Sequence, residues 1–184
     1  MSAAVQDAAP RRTRRRWLTV LLVVIVLAIA AMWVYAFIFA PRDGVNPVRD
    51  KAWSDATETR CALASDQLSP LVFRTKITEE NKAEDLPAFV AVLDRSYAII
   101  HSMLDDVERL PRASEKAQAL IPQWMADYRV WEKDLKEWIE QLRAGTIVKF
   151  GVAVTDTGIP VNERINTFAT ENRILSCSTD LLTT

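Results

Sequence analysis

The sequence predicts an all-α protein: a single N-terminal transmembrane helix followed by a mostly antiparallel four-helix bundle. Three observations carry this. Trp17 to Phe39 is a run of 23 residues without a charge. Two later segments repeat apolar residues in alternating steps of four and three, the spacing of a bundle seam. Glycine is scarce, at four in 184 residues, and all four lie outside the apolar-periodic segments, which disfavours a turn-rich β-fold.

Taken in order, the chain starts as a basic tail. Residues 1–16 hold Arg11, Arg12, Arg14, Arg15 and Arg16 against Asp7, a net +4. As a helix, the following run of 23 residues reaches about 34 Å, enough to cross roughly 30 Å of hydrocarbon with some tilt. The five arginines abut its N-terminal end, and the positive-inside rule puts that end in the cytoplasm. Trp17 suits the inner interface, and Trp33 and Tyr35 the outer one. A cleaved signal peptide is the main rival. Its apolar region is about 7–15 residues, much shorter than this one. The one A-x-A match within this run, Ala28-Ile29-Ala30, lies in mid-span, and Pro41 follows Ala40 directly. Thr13 to Leu18 loosely resembles a twin-arginine export signal, but a basic flank before an anchor looks the same.

Residues 40–46 read as a linker, and 47–184 as one extracytoplasmic helical domain. Asn46-Pro47 looks like an N-cap followed by a first-turn proline, opening a helix over about 47–67. Trp53, Ala56, Ala64 and Leu68 share one of its faces, and Ser69-Pro70 ends it. Residues 69–83 are expected to be irregular. Asp85 is the expected cap of a second helix, with Pro87 in its first turn. Its seam is Leu86, Val90, Leu93, Tyr97, Ile100, Leu104 and Val107, closed by Pro111. A turn or two follow Ser114, and Pro122 either starts a new helix or kinks one. The third long helix carries Trp124, Tyr128, Trp131, Leu135, Trp138 and Leu142, with Gly145 just past its end. The β-branched stretch 147–155 has no partner strand and reads as extended loop. Gly158 and Pro160 precede a fourth helix over about 160–174, with Ile165, Phe168 and Ala169 on its apolar face.

Cys61 and Cys177 are the only cysteines, and both fall on the outer side of the expected topology. An even pair in an oxidising compartment is expected to form a disulfide. It would tie the first domain helix to the C-terminal end.

Motifs for catalysis are missing from the sequence: no G-x-G-x-x-G, G-K-[ST], H-E-x-x-H, G-x-S-x-G or C-x-x-C. The single histidine, His101, sits beside the seam with Asp105 one turn on, and reads as a rim residue rather than a base or ligand. The adjacent acids Glu79-Glu80 and Asp105-Asp106 point apart on a helix, so they read as solvated face. No metal or cofactor is expected. Residues 40–184 hold 18 Lys/Arg against 23 Asp/Glu, and an acidic domain of this kind argues against a nucleic-acid partner.

Cys61, the run Trp124-Met125-Ala126-Asp127-Tyr128, and the C-terminal set Pro160-Val161, Ile165, Phe168-Ala169, Asn172 and Cys177 carry a resemblance. Together with the basic tail and anchor, they make the chain resemble a group of single-pass membrane proteins from actinobacteria, over most of its length. The resemblance implies the same topology and paired cysteines, and no activity or catalytic residue.

The expected function is therefore a membrane-anchored, extracytoplasmic binding or scaffold module of the cell envelope, not an enzyme. Its partners would be the lipid bilayer and an envelope or membrane protein. The alternative is a small-ligand or glycan binder using Trp53 or Trp124 as contacts, if those rings are exposed in a groove. Extracytoplasmic catalysis through carboxylates such as Asp127 or Glu132 is the remaining alternative.

Overall fold

The computed structural model describes residues 11–35 and 46–182. The expected tail residues 1–10, the end of the span at 36–39 and linker residues 40–45 lie outside the described residues. The chain forms two compact units, Met1–Asp43 and Gly44–Thr184.

The all-α class holds. Five α-helices are described, and the described residues include no strand, with one isolated bridge between Val154 and Pro160. Helix α1 spans Arg11–Val34. It starts six residues before Trp17, so Arg11, Arg12, Arg14, Arg15 and Arg16 lie within it rather than ahead of it. No proline or glycine separates them from the apolar run, so the helical ladder continues through them. From Trp17 to Val34 its mean hydropathy is 2.8 and none of the window is buried, which makes it long and apolar enough to cross a membrane.

The second unit contains α2 (Lys51–Leu68), α3 (Lys82–Glu108), α4 (Glu115–Arg143) and α5 (Val161–Glu171), then two short 3-10 turns at Leu175–Cys177 and Thr179–Leu182. Helix α3 packs against α2 and α4, α4 against α5, and α2 against the first 3-10 turn.

Four sequence expectations are corrected at helix ends. The cap of α2 is Asp50, not Asn46: its carboxylate accepts the Trp53 N–H at 3.1 Å. Asn46 and Val48 are instead drawn off by bonds to Glu171 and Asn172, described below, so the helix cannot begin at Pro47. The cap position of α3 is Asn81, four residues before Asp85. Its side chain accepts from the Thr78 N–H at 2.7 Å and closes the preceding turn. Helix α4 is capped by Ser114, whose Oγ accepts the Ala117 N–H at 3.0 Å, starts at Glu115 and runs through Pro122 without a break. Pro122 sits in the third turn, where Ile121 and Trp124 are already buried, and their packing outweighs the lost backbone bond. Helix α5 ends at Glu171 rather than 174.

The C-terminal caps of α4 and α5 share one geometry. After α4, Gly145 adopts φ +81°, and the N–H groups of Gly145 and Thr146 bond to the carbonyls of Leu142 and Gln141. After α5, Arg173 takes the same left-handed conformation at φ +57°, and the N–H groups of Arg173 and Ile174 bond to Thr170 and Ala169. Both are Schellman closures, the second with a side chain where glycine is favoured.

The core follows the predicted seams with two exchanges. On α3, Ser96 is buried in place of Tyr97, which lies half-buried with its ring stacked on His101. On α2, Thr57 and Cys61 complete the inner face and Ala56 sits at its edge. Trp124 and Trp131 are core residues. Trp138 is half-buried against Phe89 and Phe150, and its indole donates to the Val148 carbonyl at 2.8 Å. That bond, with the Ala153 N–H on Asp134 at 2.6 Å, lays residues 147–155 along α4 as an extended cover.

Candidate functional site

The expected disulfide is present. Cys61 on α2 and Cys177 in the first 3-10 turn are bonded, with Cα atoms 5.0 Å apart and both residues sealed from solvent. The surroundings reinforce it. Glu58, one turn before Cys61, accepts the Ser176 N–H at 3.1 Å and its hydroxyl at 2.6 Å, and the Tyr128 hydroxyl donates to the Cys177 carbonyl. Burial pushes the Tyr128 phenol above its ordinary pKa, so it remains a donor.

Trp53 and Trp124 are not available as stacking platforms. Trp53 is 1% exposed and Trp124 2%, edge-on to each other and both packed on Phe168. The Trp124 indole donates to the Ile165 carbonyl at 3.3 Å, which fixes α4 to α5. These rings are core, because their spacing on α2 and α4 turns them inward together.

Trp124 does underlie the edge of an open groove of about 450 Å³ between α4, α5 and the turn at 155–160. Its lining includes Leu120, Trp124, Asp127, Ile159, Arg164 and Phe168. Asp127 and Arg164 are paired at 2.9 Å, the carboxylate mostly covered and the guanidinium about half exposed. Burial raises the Asp127 pKa and Arg164 pulls it back down. A covered carboxylate with a more exposed cation above it, on an apolar floor, can exchange its internal pair for a polar ligand or partner side chain.

A second polar cluster joins α3 to α4. His101 Nδ1 lies 2.5 Å from Glu132, and its Nε2 3.7 Å from Asp105. Arg129 bridges Asp105 at 2.6 Å, Glu108 at 2.9 Å and Glu132 at 2.9 Å. The Arg129 hydrogen bond holds the Asp105 carboxyl below its ordinary pKa, and burial, then Glu132, raises the Tyr97 phenol. His101 is thus a rim residue, as its position suggested, and Glu132 is a buried partner in an interhelical clasp. The adjacent acids are likewise taken up by neighbours, Glu79 by Lys82 and Asp106 by Arg109. Among the described residues, no group of three or more His, Cys, Asp or Glu is arranged to hold a metal ion.

Sequence reasoning missed Asp50, Glu58, Asn166 and Asn172 as structural polar residues. Each has a partner between 12 and 126 positions away, which only the fold brings to it. No family model, curated protein or solved structure matches the chain.

Proposed function

We propose that the chain is a membrane-tethered binding or scaffold module. Helix α1 crosses the cell membrane with its arginine-rich end in the cytoplasm. Unit 44–184 stands on the other side as a mostly antiparallel four-helix bundle and docks a second envelope or membrane protein. This reading needs no cofactor, nucleic acid or catalytic residue, and includes kinship with the actinobacterial group.

The observation that carries it is the joining, in one chain, of a solvent-exposed apolar helix and a separately cored, disulfide-closed helical unit. A buried disulfide favours an oxidising compartment, and clustered arginines favour the cytoplasmic side, so the two ends point to opposite faces of one bilayer. The ion pairs support antiparallel packing of α3 and α4. Asp94, midway along α3, meets Arg143 at the end of α4, whereas Asp105 and Glu108 at the end of α3 meet Arg129 midway along α4. The Asp127–Arg164 groove is the surface best suited to docking, because its charges are displaceable and its floor is apolar. The small-ligand alternative draws on the same groove, without a tryptophan face to stack on.

Photo-crosslinkers at Thr157 and Glu163, used in intact membranes, test this. The expected result is one dominant protein neighbour, lost in an Arg164→Glu chain. Uniform labelling of abundant membrane proteins, unchanged by Arg164→Glu, overturns docking at this groove.

A further inference from the structure

Three kinds of side chain line the groove between α4, α5 and the turn at 155–160. Leu120, Trp124, Ile159 and Phe168 make an apolar floor, with the Trp124 and Phe168 rings stacked at 5.2 Å. Gln123, Thr157 and Thr167 add exposed polar groups without charge. The charged lining is Asp127, Glu163 and Arg164. Arg164 donates to Asp127 at 2.9 Å through one nitrogen. A guanidinium carries five N–H donors in a rigid fork, so this bond fixes the fork and leaves donors over for a second acceptor. Glu163, the next residue on α5, is exposed and makes no ion pair among the described residues. Of the nearby charges, Asp156 and Lys116 are exposed outside the lining, and Glu171 accepts the Asn46 N–H at 3.0 Å. The groove therefore sets a held cation beside an uncommitted carboxylate, above an apolar floor.

Two carboxylates against one guanidinium disfavour a purely anionic ligand, and a purely cationic one leaves the outer donors of Arg164 unused. A ligand that satisfies the whole lining carries a carboxylate, an ammonium and an apolar body together. We propose that the groove binds a short apolar peptide with both ends free. Its C-terminal carboxylate meets Arg164, its N-terminal ammonium meets Glu163, and its side chains lie on the floor. Charge complementarity selects the ends. The uncharged rim selects a peptide over a single amino acid, because amide and hydroxyl groups bond the peptide unit between the ends. The volume, about 450 Å³, is within the range of ligand pockets. Asp127 is then a positioning residue, acting through the guanidinium it holds. This deepens the small-ligand alternative, and it rests on the reading of this groove as the recognition surface of unit 44–184.

The test is isothermal titration calorimetry of the full chain in detergent with leucyl-leucine, its N-acetyl form, its C-terminal amide, and leucine alone. The expected result is binding of the free dipeptide, weakened roughly tenfold or more by either cap, the scale of one charge-assisted hydrogen bond. Arg164→Gln should remove the discrimination against the amide and keep that against the acetyl form. Glu163→Gln should do the reverse, and its exposed position leaves the core intact. Equal binding of free and capped dipeptides overturns the charge assignment while the groove stands as a binding surface. Leucine binding as tightly as the dipeptide overturns the peptide assignment. If no form binds while a photo-crosslinker at Thr157 still captures one dominant neighbour, the peptide site falls and the docking surface stands. If no form binds and crosslinking is uniform, the reading of the groove itself fails and the proposal falls with it.

Discussion

Breaking the Cys61–Cys177 bond should cost the 44–184 unit much of its stability without disturbing its packing. The bond closes a loop with a sequence separation of 116. In the loop-closure picture, a tie of that length removes about 5 kcal/mol of unfolded-chain entropy, and removal of native disulfides typically costs roughly 2–5 kcal/mol. A domain of about 140 residues unfolds with an entropy of roughly 0.3 kcal/mol/K, so the midpoint should fall by roughly 7–17 °C. Both cysteines are sealed in the core, and two reduced thiols occupy nearly the same space as the disulfide. The loss should therefore arise mainly in the unfolded state. The assay is thermal unfolding of the full chain in detergent, followed by circular dichroism, with and without reductant. Thiol alkylation after unfolding verifies that the bond was open. A Cys61→Ala/Cys177→Ala chain should match the reduced protein within a few degrees, since each substitution removes only a sulfur. Hydrogen exchange should quicken first in the two 3-10 turns and α5, which the bond holds to α2, and least at the α3–α4 seam. A fully reduced chain melting within about 2 °C of the oxidised one would refute the argument, because loop closure alone predicts more.

Further outcomes follow from the polar contacts. Arg164→Gln removes the cation that offsets the burial of Asp127. A carboxyl whose folded pKa is raised loses stability as pH rises from its unfolded value near 3.9, so the deficit of this variant should be larger at pH 7 than at pH 4. Equal deficits by chemical denaturation at both pH values would contradict this. Arg129→Met leaves Glu132 buried without its cation and should cost about 3 kcal/mol in the same assay, with a change under 1 kcal/mol counting against the clasp. Arg173→Gly relieves a left-handed backbone at an exposed position and should raise stability by about 0.5–1 kcal/mol. A lower melting temperature would show that the Arg173 side chain contributes more than its backbone strain.

The helices were legible in the sequence because the core is built on periodicity. The 4-3 steps from Leu86 to Val107 and from Trp124 to Leu142 mark most of the residues that are buried on α3 and α4. Cys61 and Cys177 were legible as a pair because there was no other choice. Helix starts were less so. Asn46-Pro47 has the local chemistry of a start and loses to Asp50, whose second oxygen also accepts the Ala113 N–H at 2.8 Å. A cap that also ties two segments together outweighs one that serves its own helix alone. Pro122 shows the same limit, because only the packing of Ile121 and Trp124 decides that the helix continues. The exposure of Trp53 turned on which helix faced it, and no local pattern carries that. The groove at Asp127–Arg164 was invisible for the same reason, since its two charges lie on helices 37 positions apart.

Where the chain enters the domain, residues 46–50 take no part in a helix, yet Val48 and Asp50 are buried. Asn172, at the cap of α5, explains how. Its carbonyl oxygen accepts the Val48 N–H at 2.8 Å, and its amide donates to the carbonyls of Asn46 at 3.2 Å and Phe168 at 2.9 Å. Glu171 accepts the Asn46 N–H at 3.0 Å, and the Ser114 hydroxyl donates to the Val48 carbonyl at 3.0 Å. The segment 46–48 is thus bound to two elements at once, the end of α5 and the start of α4. Asn172→Asp keeps the size and one acceptor but replaces the donor with a charged oxygen facing two carbonyls. Asn172 is 6% exposed, so that oxygen has little water to turn to, and the cost should be about 3 kcal/mol. Asn172→Ala loses the bonds without adding a charge and should cost less, about 1–2 kcal/mol. In both variants exchange of the Val48 amide should rise well before global unfolding, while the α3–α4 seam stays protected. If Asp and Ala cost the same, the donor side of Asn172 is not what holds the segment. If Val48 exchanges only with global unfolding, the segment is fixed by its own burial and the α5 cap is incidental.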